Sequence, residues 1–94
     1  MATVLYSSQA VTDMERLAEF LLATEPQAAA DTGHILMEAI AMLARHPLVG
    51  RIIEQGLREL VISRGRSGYV ALYRFDAETD RIYVLTVRHQ RETE

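Results

Sequence analysis

The sequence predicts an α+β domain of order β-α-α-β-β-β, in which an antiparallel helical hairpin packs on an antiparallel sheet. Three observations carry this. Apolar residues recur at helical spacing through two segments of the N-terminal half. In the C-terminal half the pattern changes to short runs rich in Val, Ile, Leu and Tyr, separated by turn signals. At 94 residues the chain, 1–94, makes a single domain with one core, so each half is the other's partner for burial.

Residues 3–6, Thr-Val-Leu-Tyr, form a short β-prone run, and Ser7-Ser8 supplies a hydroxyl cap for a helix. From residue 9 to about 23 the apolar positions Ala10, Met14, Leu17, Ala18, Leu21 and Leu22 draw one helical stripe. Asp13, Glu15, Arg16 and Glu19 fall largely off it, on the side expected to face water. Glu25-Pro26 breaks this helix, since proline disfavours a helical residue before it and suits the first turn of the next.

The second helix is expected over residues 26–45, with the stripe Ala28, Ala29, Thr32, Ile35, Leu36, Ala39, Ile40 and Leu43. Gly33 inside it costs ~1 kcal/mol relative to alanine, so a close approach of the two helices or a slight bend is expected there. His46-Pro47 ends the helix, and residues 48–56 read as a connector punctuated by Gly50 and Gly56. Strands are expected over 58–63, 69–75 and 82–87, joined by turns at 64–68 and 76–80. Turns this short make the strands an antiparallel meander. The two periodicities put Leu36, Ile40, Leu60 and Leu72 on buried faces.

Composition removes several functions. There is no cysteine, which excludes disulfides and thiolate metal sites. No apolar run approaches the ~20 residues a membrane-spanning helix needs, and Met-Ala-Thr-Val-Leu-Tyr is no secretion signal. A cytoplasmic protein without membrane contact is the expectation. The net charge of −3 conceals an asymmetry: residues 1–44 hold one Arg against six acids, residues 45–94 nine Arg against seven. All ten basic residues are Arg, a bias that codon usage explains as well as any need for planar, bidentate contacts.

His34, His46 and His89 invite a metal, but no pair has the i, i+4 spacing of a helical zinc site, so neither metal nor other cofactor is expected. Arg64-Gly65-Arg66-Ser67-Gly68 joins two strands, whereas phosphate loops lead into a helix. Ser, His and Asp show no spacing of a nucleophile elbow or triad. What remains is Arg58, Arg64, Arg66, Arg74, Arg81, Arg88 and Arg91 in the sheet half. They read either as a solvated rim with local ion pairs, such as Arg58 with Glu59 or Arg81 with Asp80, or as an anion- or protein-binding surface. Composition leaves both open.

The order of features carries a resemblance. A short strand precedes a Ser-Ser-Gln-Ala helix start containing Asp13-Met14-Glu15-Arg16-Leu17, and a long helix closes on His46-Pro47-Leu48-Val49-Gly50-Arg51. Next come Leu57-Arg58-Glu59-Leu60-Val61-Ile62, Gly68-Tyr69-Val70-Ala71-Leu72-Tyr73-Arg74 and Ile82-Tyr83-Val84-Leu85-Thr86-Val87-Arg88-His89-Gln90-Arg91. Over residues 3–91 the chain resembles the RelE/ParE superfamily of toxins from type II toxin–antitoxin systems, also called plasmid-stabilisation proteins, and lies nearer the ParE branch. The resemblance implies growth arrest through binding and inhibition of DNA gyrase, with no catalytic side chain. It also implies a cognate antitoxin whose acidic C-terminal segment covers the arginine-rich surface, in a homodimer or a hetero-oligomer with that antitoxin.

The alternative branch is the RelE-type mRNA endoribonuclease. Its members resemble Gly-Tyr-Arg-Leu-Val-Tyr at the strand where this chain reads Gly68-Tyr69-Val70-Ala71-Leu72-Tyr73, so Val70 stands where an arginine would hold the scissile phosphate. Valine donates no hydrogen bond. For a nuclease the resemblance leaves His89, with Arg88 and Arg91 beside it, as the candidate catalytic group. A non-toxic protein-interaction domain is the third reading.

Overall fold

The computed structural model describes residues 1–64 and 67–90, with Arg64 and Ser67 described by their backbone alone. Its elements are β1 (Thr3–Tyr6), α1 (Ser8–Thr24), α2 (Pro26–Ala41), a 3-10 turn (Met42–Ala44), β2 (Arg51–Glu54), β3 (Leu57–Arg64), β4 (Ser67–Asp76) and β5 (Arg81–His89). The five-stranded sheet runs β1-β5-β4-β3-β2. β2 to β5 form an antiparallel meander, and β1 lies parallel to β5 on the far edge.

The cap expected at the first helix is present. The Ser7 Oγ accepts from the Ala10 N–H at 3.0 Å and donates to the Leu85 carbonyl at 2.8 Å, so one hydroxyl starts α1 and fastens it to β5. Proline opens α2 in its first turn. That helix ends at Ala41, short of the expected residue 45, because the chain tightens into the 3-10 turn before Pro47.

The core lies between the hairpin and one face of the sheet. Leu17, Leu36, Ile40 and Leu43 meet Leu60, Ile62, Tyr69, Ala71, Tyr73, Ile82, Val84 and Val87. Leu36, Ile40 and Leu60 are buried as the periodicities require, but Leu72 is only half-buried. Ala71 and Tyr73 hold the core-facing positions of β4, and pleating turns Leu72 to the opposite face.

The structure departs from expectation at three further places. The connector at 48–56 contains a strand: β2 pairs with β3 through Arg51↔Glu59, Ile52↔Arg58 and Glu54↔Leu57, with a bulge between Ile52 and Glu54. Gly56, at φ 75°, takes the left-handed conformation that the tight turn into β3 requires. Asp13 is buried, not solvated, because it reaches across to β5. Gly33 marks no close approach, since a Cβ built there would meet nothing within 4 Å. Gly33→Ala should therefore raise stability by ~0.5–1 kcal/mol, read as a higher urea midpoint at unchanged slope. A loss of stability would mean that the backbone there needs glycine.

Candidate functional site

Two faces of the sheet have different chemistry. Cross-strand register puts Tyr69 opposite His89 and Val70 opposite Arg88. Tyr69 belongs to the core, so His89 lies on the helix side, and Val70, Leu72 and Arg74 alternate onto the open side with Arg88. The His89 and Tyr69 rings meet edge to face, with centroids 5.3 Å apart and planes at 80°. His89 and Arg88, adjacent in sequence, thus address opposite faces.

Of the arginines expected as one set, the same register keeps three on the open face. Arg74, Arg81 and Arg88 are exposed. Arg81 starts β5 opposite Asp76, Arg74 pairs with Tyr83, and Arg88 lies near the other end of β5. At ~3.3 Å per residue the row from Arg81 to Arg88 spans roughly 20 Å, too far to converge on one phosphate but suited to an extended acidic segment. Arg74 also donates to the Gln55 carbonyl at 3.3 Å. For Arg64 only the backbone is described, and Arg66 and Arg91 lie outside the described residues.

Arg58 departs from the set. Its guanidinium donates to the carbonyls of Leu48 at 3.1 Å and Gly50 at 2.8 Å. Beside it, the fully buried Tyr73 hydroxyl donates to the Pro47 carbonyl and accepts from the Gly50 N–H, both at 2.8 Å. Together they clamp residues 47–50. Gly50 is required, because a Cβ would lie 2.6 Å from the Tyr73 ring and hydroxyl and 2.8 Å from the Glu59 carbonyl. Glu59 pairs with Arg51 rather than with Arg58.

Sequence reasoning missed Asp13. Its carboxylate accepts from the Gln9 side chain at 2.8 Å and from the buried Val87 N–H at 3.1 Å, which ties α1 to β5 two residues before His89. The available signal was weak: an acid three positions after an apolar helix start.

The hairpin carries a second surface, an open trough of about 400 Å³ lined by Tyr6, Val11, Met14, Glu15, Ala18 and Met37. Burial pushes the Tyr6 phenol above its ordinary pKa. His34 is exposed and pairs with Glu38 at 2.9 Å, and His46 is exposed at the end of the 3-10 turn. Among the described residues no three His, Asp or Glu side chains gather as metal ligands. Among them, too, no helix is long and apolar enough to cross a membrane.

Comparison with known proteins adds to this geometry. Residues 4–94 match the family described as the ParE toxin of the type II toxin–antitoxin system parDE. A Caulobacter vibrioides toxin named RelE3 is 33% identical over 98% of both chains. A second toxin of that organism, RelE1, is 40% identical over 77% of both. Among solved structures, a chain of the chromosomal ParDE toxin–antitoxin system from P. aeruginosa superposes with a TM-score of 0.76. It covers 95% of this chain and 96% of that one at 18% identity, a likeness of fold.

Proposed function

The chain belongs to the ParE family of toxins of type II toxin–antitoxin systems, and from that membership we propose that it arrests growth in the cytoplasm by binding DNA gyrase. A cognate antitoxin silences it, laying an acidic segment along Arg74, Arg81 and Arg88.

The observation that supports binding over catalysis is the divergence of His89 and Arg88. A nuclease needs a proton-transfer group and a phosphate-holding cation within hydrogen-bond reach of one substrate. Here the imidazole packs on Tyr69 on the helix side, and the guanidinium extends from the open face. Opposite Arg88 on β4, at the position where nuclease members resemble an arginine, stands the buried Val70. A binding toxin needs only complementary surface, and a row of exposed arginines supplies that.

The names of the two Caulobacter relatives favour the second reading, an mRNA endoribonuclease with His89 as its acid or base. The purified chain separates the two. It should inhibit supercoiling by gyrase in proportion to its concentration and leave mRNA intact, with and without ribosomes. In cells its expression should stop growth, and co-expression of the neighbouring antitoxin gene should restore it. Intact gyrase activity alongside cleaved mRNA would replace the first reading with the second. Normal growth at verified soluble expression would favour a non-toxic interaction domain.

A further inference from the structure

Among the described residues the sheet ends on β2, and edge strands offer their free backbone groups to further pairing unless proline, unmatched charges, a bulge or a cover blunts them. Arg51-Ile52-Ile53-Glu54 contains neither proline nor lysine, and Ile52 and Ile53 are 62% and 41% exposed. We propose that this edge pairs with the same edge of a second copy, forming an antiparallel dimer about a two-fold axis between Ile52 and Ile53.

Charge complementarity singles out this occupant. Arg51 pairs with Glu59 and Glu54 with Leu57, and Glu59 and Leu57, two apart on β3, share a face. Arg51 and Glu54 therefore share a face as well, although they are three apart, because the bulge absorbs one residue. Bulges usually discourage edge pairing; here, without it, the two charges would lie on opposite faces. With the axis between the isoleucines, Arg51 of each copy meets Glu54 of the other, and Ile52 of each meets Ile53 of the other. Opposite charges and branched apolar residues are both favourable cross-strand pairs.

The interface is self-complementary and closes at two copies. Arg51 already contacts Glu59 on that face, and its five donors suffice for two carboxylates. The edge is also held ready: Tyr73 and Arg58 clamp residues 47–50 immediately before the strand, so little order remains to be imposed on docking. Leu48 and Val49, 60% and 52% exposed, extend the apolar surface. So short a pairing belongs to the weak class of interfaces, and the dimer should form with rising concentration.

Sedimentation equilibrium of the purified chain, from micromolar to millimolar, tests this. The wild type should pass from monomer to dimer. Glu54→Arg alone and Arg51→Glu alone should each lower the association constant about tenfold, since each sets like charges against each other. An equimolar mixture of the two variants should recover the dimer, because each then offers what the other lacks. Circular dichroism checks the fold. Should Arg51→Glu fail to fold, Ile52→Lys takes its place as the second disruptive variant, and it and Glu54→Arg decide together. A wild type monomeric throughout, a Glu54→Arg dimer of wild-type strength, or a mixture of folded variants that stays monomeric would overturn the proposal. So would a β2 edge taken up by another protein's strand and not by this chain's.

Discussion

Leu36→Ala should lower the free energy of unfolding by ~2–5 kcal/mol, a large share of the ~5–15 kcal/mol available to a small domain. Leu36 is 4% exposed and sits on α2 among Ile40, Leu43 and the sheet's core face. Removing its branched end forfeits the transfer energy of those carbons and leaves a void that packed neighbours fill only in part. Leu72→Ala is the control. Leu72 is half-buried on the opposite face, so its truncation opens toward solvent and should cost roughly half as much or less. Urea unfolding of both variants, with slopes equal to wild type, gives the comparison. Equal losses at the two positions would mean that the open face carries a packed layer of its own.

That contrast shows where the sequence is legible. The stripes of α1 and α2 are long enough for 3.6-residue spacing to identify them, and Pro26 and Pro47 set their limits by fixed chemistry. β4 is harder. Tyr69, Val70 and Ala71 are all buried, so alternation alone does not say which face meets the helices, and the pattern wrongly places Leu72 in the core. β2 leaves no trace at all: four exposed residues at an edge have no buried face to write an alternation. The clamp on residues 47–50 depends on Arg58 and Tyr73 reaching 8 to 26 positions back along the chain, which no local pattern records. Asp13 escapes notice for the same reason, since its partner Val87 lies 74 positions away. The arginine set can be collected from composition, but grouping Arg74, Arg81 and Arg88 on one face takes the β4–β5 register, and setting Arg58 apart takes its bonds to the Leu48 and Gly50 carbonyls.

That register also sets the last expectation. If the chain acts by binding gyrase, His89→Ala should leave growth arrest nearly intact, because no bond-breaking step depends on an imidazole. The ring's contact with Tyr69 is at the sheet margin, and its loss should show as a modest fall in stability. Arg88→Glu should act in the opposite way. It lies on the open face, exposed, and leaves the core untouched, yet it reverses a charge in the row with Arg74 and Arg81. Opposing an acidic segment with another carboxylate should weaken antitoxin binding by several kcal/mol where the pair is desolvated, and mainly slow association where it stays wet. A nuclease would invert the ranking, since losing a general acid or base typically costs ~10²–10⁴-fold in rate. Three measurements on each variant decide it: growth arrest, gyrase supercoiling, and mRNA cleavage by purified protein. Cleavage by the wild type that disappears in His89→Ala, with gyrase unaffected in both, would assign the chain to the catalytic branch and give His89 its acid–base role.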